Sequence, residues 1–399
     1  MKKILLIHRY FWPDHPNCGQ ILWHLTQKLA TQGHQVDVLT ALPSKDLNSK
    51  KIVSENFQIL TNIKIERIDL SIENNSPIKK ITNALKLGFR TNFLAIKNKY
   101  DIIISTSIPP ITGGLFAAVA ASMSKAKFVY FCMDLHPEVG KISKDFSNPI
   151  LFSLLQKIDN WSCSKAHPVI VHSLDMKNSL LSRGSNNKFD IEIINNFSIP
   201  TEEINESTFK LEFNPNENEL NIIFAGNLGR FQSLDKVIEA MIYLKEKKNI
   251  KLFLVGDGAI KKELISKVHA TKANVEFFDQ HPANVVKKMI SKADIGLVSL
   301  TKNIYKYGYP SKIMTYLEQG KPIIAILEKE SEIVKLMEQN NYGFNISDLN
   351  PKNISEFLIK LAENKSWKSK MSYNAKKTYE EYFSTKTILS KWSKILFNE

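Results

Sequence analysis

The sequence predicts an α/β protein of two Rossmann-like domains, each a doubly wound parallel sheet, facing a central cleft. Three observations carry that expectation. Short apolar β runs alternate with segments of helical period along the whole chain, the pattern of a parallel sheet with crossover helices. The alternation breaks in a polar stretch at about 198–219, which contains TEEINESTFKLEFNPNENE, and then restarts. Turn-rich loops follow several strands at their carboxyl ends, where open α/β sheets bind ligands.

In the first half, Ile4–His8 reads as a buried strand. It is too short for a leader's apolar core, contains His8, is followed by Arg9, and has no small-residue cleavage site after it. The loop PDHPNCG comes next. Helical spacing then runs from Gln20 to Gln32 through Leu22, Leu25 and Leu29, is stopped by Gly33, and gives way to a strand at Val36–Thr40. This unit puts Gly19 in the loop after the first strand. It lacks GxGxxG, so the dinucleotide fingerprint is missing. Further strands are expected near Ile63–Leu70, Ile102–Thr106, Phe128–Met133, Val169–His172 and Ile191–Asn195.

In the second half, the strand Asn221–Ala225 runs into the turn GNLGR (226–230). A helix from about Leu234 to Lys247 is expected to take its cap from Ser233 or a neighbour. Strand Leu252–Val255 ends in GDG (256–258) and feeds a helix at Ala259–His269. Strands Val275–Phe278, Ile295–Ser299, Ile323–Leu327 and Gly343–Ile346 follow, with helices at Pro282–Lys292 and Ser331–Gln339. Helices Ile354–Asn364, Trp367–Tyr382 and Thr385–Phe397 close the chain.

One stretch organises this half. In Tyr305–Ile324 a loop of Tyr307, Gly308, Tyr309 and Pro310 leads into a short helix, about Ser311 to Gln319, ended by Gly320. Free N–H groups, the Ser311 hydroxyl and the Lys312 ammonium gather at its start, a combination suited to a phosphate or diphosphate. The plain alternative is a capped helix joining two strands.

Composition bounds the function. The chain has 399 residues, 43% hydrophobic and 24% charged, enough for two or three domains. No apolar run is long enough to span a bilayer as a helix. Cys18, Cys132 and Cys163 are too few and too scattered for a disulfide framework or a zinc site, which fits a reducing, cytoplasmic setting. The net charge is +14, and residues 1–199 hold 24 Lys and Arg against 15 Asp and Glu, so the excess leans to the first half. Anionic membrane, nucleic acid and phosphorylated substrates all fit such a balance. No nucleic-acid-binding signature accompanies it, and no nucleic-acid partner is expected. GxSxG, HExxH and a P-loop lysine motif are missing.

Residues 74–100 contain no Asp or Glu and carry Lys79, Lys80, Lys86, Arg90, Lys97 and Lys99 among apolar residues. They read either as a helix lying on anionic lipid or as a sheet-covering helix with a solvated basic face. Asp134, His136 and Glu138 crowd the end of the strand Phe128–Met133, a common place for an active site, and Asp134 suits acceptance from sugar hydroxyls. Gly226, Gly256 and Gly258 let backbone approach a ligand closely. Arg230 is the strongest cation for a leaving diphosphate, unless it is an ordinary solvated loop arginine.

With both halves read, the chain resembles glycosyltransferase family 4, whose members have the two-domain GT-B fold. The likeness covers nearly the whole length and looks closest to the branch that builds O-antigen, capsule or colanic-acid-type surface polysaccharides. It rests on YFWPD and GQILWHLTQKLATQGHQVDVLTALPS, on DLHPE at residues 134–138, and on FAGNLGRFQSLDKVIEA, LFLVGDG and PSKIMTYLEQGKPII, in that order and spacing. In DLHPE, His136 stands where an aromatic is usual.

The resemblance implies an acceptor-binding domain at 1–198, a linker at 199–218, a nucleotide-sugar-binding domain at 219–383 and a C-terminal helix, 384–399, crossing back to the first domain. It implies a retaining transfer of a hexosyl or N-acetylhexosaminyl group to a saccharide acceptor, lipid-linked at the inner membrane face, with no metal or other cofactor. The leaving phosphate would help deprotonate the acceptor, in a closed site that excludes water. Asp134, His136, Glu138, Arg230 and Lys312 would carry the chemistry. Gly19, Gly226, Asn227, Gly256, Gly258, Tyr307, Gly308, Pro310, Ser311 and Thr315 would join Arg230 and Lys312 around the donor.

There are departures. The family's two Glu across this loop and helix fall at Tyr307 and Thr315, and its Arg and Lys after the first strand of the second domain fall at Asn227 and Gln232. Arg230 and Lys312 would supply that charge instead. Two other readings stay open at this point: a weakly catalytic nucleotide-sugar-binding subunit, and a two-domain sugar-nucleotide epimerase.

Overall fold

The computed structural model describes all residues except 14–16, 44–59, 72, 74–75, 144, 185–187, 202–212, 248 and 398–399. Backbone contacts divide it into two units. The first holds Met1–Asn195, Tyr307–Tyr309 and Leu389–Glu399, and the second Asn196–Lys306 and Pro310–Ile388. Most of the polar segment expected as a linker, 202–212, lies outside the described residues.

The first unit contains a seven-stranded parallel sheet in the order β3-β2-β1-β4-β5-β6-β7. Its strands are β1 (Lys3–Ile7), β2 (Gln35–Ala41), β3 (Ile63–Ile68), β4 (Ile102–Thr106), β5 (Lys127–Phe131), β6 (Val169–Val171) and β7 (Ile191–Ile193). The helices are α1 (Asn17–Thr31), α2 (Pro77–Asn98), α3 (Thr112–Ser124), α4 (Glu138–Ile142), α5 (Pro149–Lys165) and α6 (Leu174–Leu181). β1 and β4 are buried along almost their whole length, which is why they read as continuous apolar runs rather than alternating ones. The ends of the long helices are chemically marked. Ser76 caps α2, and Asn148 caps α5 by accepting from Ile150 and Leu151 N–H, each with Pro in the next position.

The second unit has a six-stranded parallel sheet, β10-β9-β8-β11-β12-β13. Its strands are β8 (Leu220–Ala225), β9 (Ile250–Val255), β10 (Val275–Phe278), β11 (Ile295–Ser299), β12 (Ile323–Ile326) and β13 (Gly343–Ile346). The helices are α7 (Leu234–Tyr243), α8 (Lys261–Thr271), α9 (Ala283–Lys292), α10 (Lys312–Glu318), α11 (Glu332–Asn340), α12 (Pro351–Glu363), α13 (Trp367–Thr378) and α14 (Thr385–Phe397). α7 stops earlier than its period suggests. Ser233 does not cap it through its side chain, because it sits in the left-handed region at φ 46°. α14 begins among second-unit residues, and from Leu389 it belongs to the first unit. There Trp392 packs edge-on to Phe131, and Lys127 Nζ donates to the Ile395 carbonyl at 3.0 Å.

Each sheet therefore reverses its strand order once, between β1 and β4 and between β8 and β11. The crevice outside the carboxyl ends of such a pair is where ligands bind in doubly wound sheets.

Candidate active site

In the second unit the reversal is bordered by Gly226, directly after β8, and Gly256 follows β9; both are in glycine-favouring conformations at φ 143° and 138°. A Cβ on Gly256 would fall 2.1 Å from the Gly226 carbonyl oxygen, and one on Gly258 2.3 Å from that of Leu228. The two loops lie backbone on backbone, joined by Gly226 N–H to the Val255 carbonyl at 2.9 Å and Leu228 N–H to that of Asp257 at 2.8 Å. The need for glycine at 256 and 258 is thus this loop-on-loop packing, a different reason from the ligand approach expected of them. Asn227 is exposed, and its amide reaches over Gly229 and Gly258.

Beside Gly226 lies the Lys312 side chain, whose Cε would be 3.4 Å from a Cβ at that glycine. Its Nζ donates to Gln232 Oε1 at 2.8 Å and stands 4.4 Å from the centroid of the Phe224 ring. Burial pushes the Lys312 pKa down to about 7. A lysine held this way gains from the approach of an anion, which supplies the charge its surroundings withhold. Arg230 opens a 3-10 turn, Arg230–Gln232, and its carbonyl accepts from the Thr301 hydroxyl at 3.2 Å. Its side chain is exposed, and among the described residues no carboxylate pairs with it.

The helix expected from Ser311 begins at Lys312, and Ser311 makes no side-chain cap bond. The carbonyl of Pro310 accepts from Ile313 N–H at 3.2 Å. Thr315 lies within 3.4 Å of the Ser198 hydroxyl. Glu318, one turn further along, is taken by Lys287 and by Ser198 at 2.7 Å, so it is not a free carboxylate.

In the first unit Asp134 forms an isolated antiparallel bridge with Gly308, and Leu135 N–H donates to the Tyr307 carbonyl at 2.8 Å. A Cβ on Gly308 would sit 2.6 Å from Asp134 Oδ1, so only glycine lets the two segments meet there. The Asp134 carboxylate is in no ion pair among the described residues, and desolvation pushes its pKa up to about 6. Tyr307, expected at the donor, packs against the first unit's core. His136 is held neutral, its pKa pushed down to about 4 by burial, and its Nδ1 is buried without a hydrogen-bond partner among the described residues.

Glu138 and Gly19 are placed differently from expectation. Both Glu138 oxygens are occupied: Arg183 binds them at 2.8 and 2.6 Å, and Gln156 donates at 2.9 Å. Burial alone would raise its pKa, but the Arg183 charge and these hydrogen bonds outweigh that and hold it below the ordinary value. Glu138 therefore fixes the turn and does not present a free carboxylate. A Cβ on Gly19 would fall 3.1 Å from Tyr10 O and Phe11 Cα, so this glycine lets the first turn of α1 lie against that backbone.

Sequence reasoning missed Arg183. It donates to Glu138, to Asp159 at 2.6 Å and to the His136 carbonyl at 2.7 Å, and its side chain is nearly inaccessible. No motif surrounds it. The available signal is its residue type: the chain has Arg at only five positions among 54 basic residues, and forked, buried pairing is what Arg does better than Lys.

Comparison with known proteins agrees with this geometry. Residues 205–378 match the family model described as glycosyl transferases group 1, and residues 19–198 match that of glycosyltransferase family 4. The probable glycosyltransferase WbjE of Pseudomonas aeruginosa is 25% identical, with 66% of each chain covered, so the chain spans just under two thirds of that relative. An uncharacterized glycosyltransferase of Methanocaldococcus jannaschii is 24% identical over 99% of this chain and 98% of its own. Among solved structures, sucrose-phosphate synthase of Thermosynechococcus elongatus shares the fold with a TM-score of 0.78 at 14% identity, covering 99% and 98% of the two chains. HepE of Anabaena, in complex with UDP-glucose, gives 0.70 at 15% identity over all of both chains. The two matched regions account for both Rossmann-like units, and the chain belongs to glycosyltransferase family 4, with the GT-B fold.

Proposed function

We propose that the protein is a retaining glycosyltransferase that moves a hexosyl or N-acetylhexosaminyl group from a nucleotide-diphosphate donor to a saccharide acceptor. We read the acceptor as lipid-linked, the setting as the inner face of the plasma membrane, and the role as assembly of a bacterial surface polysaccharide such as O-antigen or capsule. The observation that carries the donor half is the placement of Lys312. Its ammonium points at Gln232, beside Gly226, where the second sheet reverses. Family 4 members place a cation at the Gln232 position; here Lys312 reaches that place from another element.

Arg230 supports the same reading. Arg9 pairs with Glu73, Arg90 with Glu66 and Arg183 with Glu138 and Asp159, while Arg67 donates to the Trp12 carbonyl at 2.5 Å. Arg230 is left exposed without a carboxylate partner among the described residues. Two cations near a strand-end turn would stabilise the charge that grows on a departing diphosphate, with no metal required. Asp134, in no ion pair among the described residues, would orient the donor sugar or acceptor, with neutral His136 two positions on.

The test is nucleotide release with a panel of sugar nucleotides, uridine sugars first because structurally similar HepE holds UDP-glucose. Turnover needing acceptor, and lost by roughly a hundredfold in both Lys312→Ala and Arg230→Ala, supports the reading. Unchanged rates in both variants end it. Binding without release under any acceptor returns the binding-subunit reading, and donor turnover without acceptor the epimerase.

A further inference from the structure

The first unit presents an apolar surface that contains none of the residues named for the candidate site. α2, α3 and α5 lie on one face of its sheet: Leu87, Leu94 and Ala95 of α2, Ala117 and Ala121 of α3 and Cys163 of α5 share one core, and α3 packs against both α2 and α5. At about 100° per residue, the buried positions of α2 fall on one side of that helix. A sheet-covering helix then carries polar residues on the opposite side. α2 does not. Ile78, Ile81, Leu85, Phe89, Phe93 and Ile96 form a stripe there, with Ile78 73% and Phe89 66% exposed. Exposed Lys79, Lys86 and Lys97 flank it along one side, and α2 contains no Asp or Glu.

α5 carries a second exposed apolar row. Ile150, 82% exposed, Leu151, Leu154 and Trp161 face outward there. Lys165 stands 5.9 Å from the Trp161 ring, and the one acidic residue of α5, Asp159, is turned inward to Arg183. No helix among the described residues is long and apolar enough to cross a membrane.

We infer that α2 and α5 together form a docking surface for an anionic lipid bilayer. The argument for that occupant is charge complementarity. Aromatic and aliphatic tips enter the interface while lysines beside them meet lipid phosphates. A second copy packed through the same face would bring further lysines and no carboxylate of α2 to meet them, and Asp159 of α5 is already taken by Arg183. The inference rests on the membrane setting proposed above, for which it names the surface, and not on the transfer chemistry, so failure of one leaves the other standing.

Flotation of the full chain with vesicles of phosphatidylcholine, alone or doped with phosphatidylglycerol, tests it. Binding is expected only to the doped vesicles, weakening with salt. Lys79→Gln and Lys86→Gln should each weaken it roughly fivefold. Phe89→Ser with Phe93→Ser, and separately Ile150→Ser with Leu154→Ser, should each weaken it roughly tenfold or more. All these positions are exposed, and an unchanged melting temperature shows that the fold survives. Equal binding to neutral vesicles, or no binding, overturns the inference. Wild-type binding by the Ile150→Ser/Leu154→Ser variant removes α5 from it. Self-association without lipid, abolished by the same variants, assigns the face to a second copy instead.

Discussion

The Lys312 ammonium lies 2.8 Å from Gln232 Oε1, across 80 positions of sequence, and 4.4 Å from the centre of the Phe224 ring. A neutral amide and a ring face lie beside a charge that has no carboxylate partner among the described residues. Burial, with no such partner to offset it, pushes the Lys312 pKa down to about 7.

Donor binding should therefore depend on pH. Lys312 attracts a diphosphate only when protonated, and its pKa in the free protein is about 7. Affinity for a sugar nucleotide, whose diphosphate charge is fixed, should be level below about pH 7 and fall above it, by up to tenfold per unit. Calorimetry at about pH 8 in buffers of different ionisation heat should show proton uptake on binding. Uptake retained in Lys312→Met would locate the effect elsewhere.

Lys312→Met should separate activity from stability. Transfer should fall by roughly a hundredfold, while the melting temperature holds or rises, since a poorly solvated charge is replaced by an apolar chain of similar length. The sign in pH follows from the lowered pKa. Between about 7 and the ordinary 10.5 the unfolded chain binds more protons than the folded one. Wild-type stability therefore gains a rising component with pH across that window, and thermal melts of the variant should lack it.

Gly308→Ala should inactivate without unfolding. The new methyl would meet Asp134 Oδ1 at 2.6 Å and displace the carboxylate or part the bridge between the two segments. A drop in turnover of about tenfold or more is expected, with donor affinity little changed. Wild-type turnover would show that the placement of Asp134 does not matter.

Arg183→Met should destabilise by about 3–5 kcal/mol, because Glu138 and Asp159 would be left buried without their cation. Urea titration measures this. Arg183→Lys should recover only part of the loss, since an ammonium cannot reproduce the forked contacts to Glu138.

Turnover should survive exhaustive treatment with a chelator, since the proposed charge stabilisation is carried by Lys312 and Arg230. Loss of activity restored by one divalent cation would reassign that role.

The sequence by itself determined the architecture. Strand and helix periods are local properties, written in neighbouring residues, and they located every strand of both sheets to within a few residues. The glycine turns after β8 and β9 and the Gly308–Lys312 segment were legible for the same reason. What the tertiary structure decided lies between residues far apart in the chain. Glu138 became a structural ion pair because Arg183, 45 positions away, folds over it. Lys312 found Gln232 because α10 and the turn after β8 meet at one end of the sheet. The outward side of α2 was readable as a stripe of period 3.6, but which side faces the sheet depends on what α3 covers. Periodicity specifies a helix and its faces; only the packed neighbours decide which face is left for solvent or lipid.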